Sequence, residues 1–206
     1  MNRVIGICGR KRHGKDSVGK ILQEHYGFMP TAFADPVKRV AMDVFGLSWV
    51  QCYGDGPEKE AVDLRWDLSP RKIMQLLGTE VGRNIRPDTW IKHTLDNIRS
   101  ANEGRGFQWR NDSTQEFVRQ VGDPPEGWVI TDVRFPNEAE AILAAGGEVW
   151  KVVRPSLGAP TDEHSSETSV DLVFASQTLI NDGSLEDLAG AVAQAYRGFE
   201  SRRGKQ

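Results

Sequence analysis

The segment GRKRHGKDS, Gly9 to Ser17, carries the G-x-x-x-x-G-K spacing of a loop that wraps phosphate groups. Small residues there let backbone N–H groups converge on the β- and γ-phosphates of a nucleotide, backed by the positive end of the following helix. Lys15 then reaches the phosphoryl group to be transferred. Ser or Thr normally follows the lysine and holds a metal ion, but here Asp16 does, with Ser17 next. Two roles for Asp16 stand side by side. It is an acid in a helix's first turn, favourable against the dipole, or a carboxylate that draws Mg2+ directly or through water, with Ser17 as a displaced hydroxyl ligand. Asp132, after the apolar run WVIT, is a second candidate ligand, since acids at the end of a core strand collect metals in such sheets. Its plain alternative is a cap on the next turn. Arg134, two residues on, suits a phosphate or a structural pairing with Asp132 or Glu138.

These residues need a scaffold, and the chain's periodicity supplies one. RVIGIC (3–8) is β-branched-rich and ends in glycine, as a buried parallel strand would. From Lys15 the period turns helical, with Val18, Ile21, Leu22 and Tyr26 on one face and Gly27 to close it. FMPTAF (28–33) reads as a second strand, although Pro30 interrupts it. Asp35-Pro36 starts a helix, and Ser69-Pro70 starts another after an irregular stretch of loops and short helical pieces. DTWIKHTLDNIRSANEG is a further helix. Residues 104–120 look exposed and give no placement. Beyond them WVIT, EVWKVV and QTLIND read as strands, with a helix from Pro136 to Ala145. Ser184 caps a C-terminal helix. Strands alternating with helices predict an α/β fold, a mostly parallel sheet with helices on both faces.

Composition narrows the classes of function. A chain of 206 residues suits one well-cored domain. Its net charge of -3 gives no electrostatic case for nucleic acid. Two cysteines, Cys8 and Cys52, make neither a disulfide framework nor a zinc site, and a reducing cytoplasm fits. No stretch approaches membrane-spanning length, so a cytoplasmic protein is expected.

In order along the chain, GRKRHGKDSVG, FADPVK, SPRKIMQLLGTEVGR, DTW, ITDVRFPNEAEAI, EHSSET and LINDGSLEDL resemble the phage-type deoxynucleoside monophosphate kinases. The resemblance covers nearly the whole chain apart from 104–126, and G-K-D-[ST] is shared with that family. It implies a P-loop nucleotide kinase fold, with a core of about 1–34 and 127–206. It also implies a helical acceptor-binding insertion over about 35–126 and a lid loop over about 154–168. The implied reaction moves the γ-phosphoryl of ATP, with Mg2+, to a deoxynucleoside monophosphate. By position, Gly9, Arg12, His13, Gly14, Lys15, Asp16 and Ser17 would hold ATP, with Asn181 near the adenine. Lys15, Asp16, Asp132, Arg134 and the lid arginine Arg154 would be catalytic; Asp16, Ser17 and Asp132 would face the metal. The acceptor would lie against Phe33, Ala34, Lys38, Arg71, Gly78, Arg83, Trp90 and Glu138. Arg71 and Arg83 have a plain alternative as solvated helix residues, and Trp90 as core. His164 and Glu167 match an HxSE pattern without a chemical role. The resemblance also suggests a homodimer. Phosphomevalonate or dephospho-CoA as acceptor, or a non-catalytic ATP-binding regulator, are the competing expectations.

Overall fold

The computed structural model describes residues 3–157 and 169–204. Five parallel strands form its main sheet, in the order β2-β5-β1-β6-β7. The strands are β1 (Arg3–Cys8), β2 (Phe28–Thr31), β5 (Gly127–Val133), β6 (Glu148–Val153) and β7 (Gln177–Ile180). β1 is central because its side chains are apolar on both faces, as a strand covered by helices on each side must be. Successive residues point to opposite layers. Val4 joins Ile130, Val133, Ile142 and Val149, whereas Ile5 and Ile7 join Val18, Leu22, Val129, Val152 and Leu188.

Helices α1 (Lys15–Tyr26) and α7 (Leu185–Arg203) cover one face, and α5 (Thr89–Asn102) and α6 (Pro136–Ala144) pack on the other. Both fully buried tryptophans lie in the sheet, Trp128 in one layer and Trp150 in the other. The second predicted strand stops at Thr31 rather than Phe33, because Asp35 Oδ2 takes the Ala32 amide and turns the chain into α2 (Asp35–Phe45). Pro30 is accommodated because β2 is an edge strand. Ser184 caps α7 by accepting from the Asp187 amide, as its sequence position implies.

Two features differ from the sequence reading. Residues 104–120, unplaced by pattern, contain an antiparallel hairpin of β3 (Phe107–Asn111) and β4 (Glu116–Gln120). It is docked, not loose. Asn97 on α5 pairs its amide with both backbone groups of Gln108, at 2.8 and 2.7 Å, and Phe107 packs edge-on against Trp128. Second, the helix begun by α4 (Pro70–Gln75) runs into a π-helix, Leu76–Arg83. Such widened turns are rare and often mark functional sites. The Trp90 ring lies directly against Gly82, and its Nε1 donates to the Gly78 carbonyl at 2.8 Å. A short α3 (Trp49–Tyr53) lies between α2 and α4.

A methyl group on Gly82 would overlap the indole. Gly82→Ala is therefore expected to destabilise the fold by roughly 1–3 kcal/mol, the cost of overpacking, measured by urea unfolding. Unchanged stability would mean that the Trp90 packing does not hold this segment.

Candidate active site

The segment between β1 and α1 is shaped by positive backbone angles, at Gly9 (φ 147°), Arg12 (φ 66°) and Gly14 (φ 98°). No side chain caps α1, so the amides of its first turn remain for an incoming anion. The loop is held from behind. Asn181, just past β7, donates from Nδ2 to the His13 carbonyl at 2.9 Å, and a side chain at Gly14 would overlap that same Nδ2. The buried His13 ring places Nδ1 3.3 Å from both the Arg154 amide and the Val152 carbonyl. One nitrogen makes only one of these bonds at a time, set by the tautomer. Either choice ties the loop to the end of β6.

Among the loop's charges, Lys15 Nζ donates to the Arg10 carbonyl at 2.9 Å. Arg10 pairs with Asp171, whose carboxyl the hydrogen-bonded guanidinium holds below the usual range. Asp16 is exposed in α1's first turn, and Ser17 is half-buried beside it. Arg154 is exposed at the end of β6, and Lys151 Nζ reaches the Val170 carbonyl. The lid expectation, with His164 and Glu167, lies mostly on residues 158–168, outside the described residues.

Next to this loop stands β5, with Val133 in register with Cys8. Asp132 lies within that strand, one residue before its end, and holds the neighbouring strand's exit. Its Oδ1 accepts from the Phe33 amide at 2.7 Å and its Oδ2 from the Ala34 amide at 2.8 Å. Burial raises its pKa and nearby Asp35 adds to the rise, while the two amides and Lys38 oppose it. Glu138, in the first turn of α6, closes the other side. Its Oε2 accepts from the Arg134 and Phe135 amides, at 2.7 and 3.0 Å, and its Oε1 accepts from Arg83 Nη2 at 2.5 Å. Burial, reinforced by Asp132, pushes Glu138 up to about 7 against the pull of those donors. Arg83 also lies over the Phe135 ring, 3.8 Å from its centre. The π-helix is thereby fastened to the start of α6.

A third group, unread from the sequence apart from Lys38, sits at the start of α2. Asp35 is buried, and its Oδ1 accepts from Tyr53 Oη at 2.9 Å and from Arg110 Nη1 at 3.1 Å. Lys38 Nζ lies over the Tyr53 ring, 3.9 Å from its centre, and burial lowers its pKa. Burial likewise raises the Tyr53 phenol, with Asp35 adding to the effect. The structure thus brings Lys38, Ala34, Asp132, Glu138 and Arg83 to one end of the sheet. Phe33 offers its amide there but buries its ring in the core. Gly78 and Trp90 bond each other, and Arg71 pairs with Glu60 at the surface.

The family model for deoxynucleotide monophosphate kinase matches residues 101–192. A protein of Acanthamoeba polyphaga mimivirus, provisionally named a deoxynucleotide monophosphate kinase, is 33% identical over 191 residues, covering 89% of this chain and 91% of that protein. The chain belongs to the deoxynucleotide monophosphate kinase family. The deoxynucleotide monophosphate kinase of Enterobacteria phage T4 is 29% identical over 138 residues, 66% of this chain and 48% of its own. That of Escherichia phage RB69 is 28% identical over 133 residues, 64% and 46%. The matched stretch thus spans about half the length of these two phage proteins.

Within the family's matched region lie the hairpin, Asp132, Glu138 and Asn181. Asn181 was expected near adenine, and its visible contact is with the loop's backbone. Its amide can be isolated by Asn181→Ala. Losing one hydrogen bond is expected to cost about 1 kcal/mol of stability and to weaken ATP binding several-fold in calorimetry, with the acceptor's KM little changed. Undiminished ATP binding would show that the brace does not set the loop's shape.

Proposed function

We propose that this protein transfers the γ-phosphoryl group of ATP to the 5′-phosphate of a deoxynucleoside monophosphate. The bond from the γ-phosphorus to the bridging oxygen breaks, one to an acceptor phosphate oxygen forms, and ADP leaves with a deoxynucleoside diphosphate. The observation that carries the reading is the juxtaposition across β1 and β5. An uncapped helix start behind a glycine-shaped loop stands beside β5, past which Asp132 and Glu138 gather a second set of cations, Lys38 of α2 and Arg83 of the π-helix. Membership of the family agrees with it.

In this reading the α1 amides cradle the β- and γ-phosphates, and Lys15 exchanges its bond to the Arg10 carbonyl for the γ-phosphate. Asn181 and His13 hold the loop in shape. Mg2+ fits the oxygen donors present. No group of three or more His, Cys, Asp or Glu that could hold a metal occurs among the described residues, so the ion would arrive on the nucleotide. Ser17 and Asp16 would hold it, with Asp132 reached through water, and waters would fill the remainder. Bound there, the ion would neutralise charge on the transferring group.

The acceptor's phosphate would rest between Lys38 and Arg83, with Arg134 and Arg154 completing the positive surround. Arg meets phosphate oxygens bidentately, which fixes the acceptor's direction as well as its place. A phosphate is already an anionic nucleophile at neutral pH, so no protein base is required. The protein's contribution is alignment and charge.

The test is turnover with ATP, Mg2+ and each deoxynucleoside monophosphate, with dephospho-CoA and phosphomevalonate alongside, followed by ADP release. A rate on the order of 1–100 per second with one or more deoxynucleotides is expected. Lys15→Ala should reduce it at least about a hundredfold with the melting curve unchanged. ADP release only with a non-nucleotide acceptor, or full activity without Lys15, would refute the reading.

A further inference from the structure

The hairpin β3–β4 takes no part in the reaction as described, yet it sends one arginine deep into the acceptor side. Arg110 reaches Asp35 at 3.1 Å with only 14% of its side chain exposed, and its outer edge pairs with Asp112 at 2.9 Å. Asp35 thereby accepts from three donors, two of them on Oδ1. Its Oδ2 takes the Ala32 amide, and its Oδ1 takes both Tyr53 Oη and Arg110.

Lys38 stands one helical turn beyond Asp35, on the same face of α2. A half-buried ammonium one turn from a buried carboxylate would ordinarily close an ion pair. Here it does not. Among the described residues Lys38 Nζ makes no hydrogen bond or ion pair and rests over the Tyr53 ring. The groups that act on it through charge are Asp35, Asp132 and Cys52, which favour the ammonium, and Arg110, which opposes it. Asp132 has given its oxygens to the Phe33 and Ala34 amides. Both carboxylates near Lys38 are thus turned to other donors, and the N–H groups of a half-buried cation are left for a ligand.

We propose that Arg110 is a positioning residue of the acceptor site: by occupying Asp35 it keeps that carboxylate from capturing Lys38, whose ammonium is left for the acceptor's phosphate. This rests on the functional reading above. The hairpin then has a role in substrate binding without touching substrate. Asn97 and Arg39 hold it at Gln108, two residues before Arg110, so its docking on α5 and α2 sets the arginine's reach.

The test is a two-residue cycle read as KM for the best deoxynucleotide, KM for ATP, and kcat. Arg110→Met frees Asp35 to bind Lys38, and the deoxynucleotide KM should rise at least about tenfold, the worth of one charged hydrogen bond. The ATP KM should stay within about twofold, since the loop is built from other elements. Asp35→Asn added to Arg110→Met removes the competing carboxylate, and the deoxynucleotide KM should return to within about threefold of the wild type. A merely structural arginine would give the opposite sign, the double variant being no better than the single. The double variant carries no lone buried carboxylate, so it reads the proposal even where Arg110→Met does not fold. A double variant still impaired tenfold or more, or a single variant with unchanged deoxynucleotide KM, would overturn it. Wild-type protein that turns over no deoxynucleotide would instead bring down the functional reading, and this proposal with it.

Discussion

The carboxylate of Asp132 binds the two halves of the site into one. It takes the amides of Phe33 and Ala34, consecutive residues at the turn from β2 into α2. Left unpaired, these donors would each cost about 1–3 kcal/mol in a buried turn. Paired, they fix where α2 starts, and with it Asp35 and Lys38. Because β5 lies between β1 and β2, the same residue sets the proposed acceptor side at a fixed lateral step from the proposed phosphate loop. Phosphoryl transfer needs that step to be held closely, since a misplacement of about 1 Å can cost a hundredfold in rate.

The two halves are made differently. The loop half is backbone: amides, two glycines at positive φ, and braces from Asn181 and His13 that touch main-chain atoms. Backbone suits a polyphosphate, which presents the same oxygens whatever base it carries. The proposed acceptor half is made of long side chains in mutual balance, with Glu138 against Arg83 and Asp35 against Arg110. Each buried pair offsets a desolvation cost that neither charge could bear alone. Such a half is sensitive to single charge changes, and that sensitivity is what lets distant residues tune it.

Much of the loop half was legible in the sequence, because its determinants are local. The G-x-x-x-x-G-K spacing, the helical period after Lys15, Asp35-Pro36 and the Ser184 cap each lie within a few residues of what they shape. The acceptor half was legible in part. Lys38, Arg83 and Glu138 were expected there by resemblance, and the structure brings them to one end of the sheet, but Asp35, Tyr53 and Arg110 meet across separations of 18 and 75 residues. No periodicity carries such a contact. The hairpin escaped notice because only Phe107 is buried in its two strands, so the two-residue alternation is faint. The π-helix escaped because the Trp90 indole that packs against it follows Gly82 by eight positions and looks like ordinary core. Asp132 was open to two readings. Its two amide bonds run to the turn after the neighbouring strand, a contact about a hundred residues away that neither reading contained.

The central claim is that two anion sites, one on the loop and one on the α2 side, are set at the distance of a single phosphoryl transfer. It is tested most directly by calorimetry with adenosine joined through five phosphates to each of the four deoxynucleosides. At least one such compound should bind at least about a hundredfold more tightly than ATP, the gain of linking two sites. That gain should disappear in both Lys15→Ala and Lys38→Ala. Binding no tighter than ATP for all four, or a gain indifferent to Lys38, would contradict the arrangement.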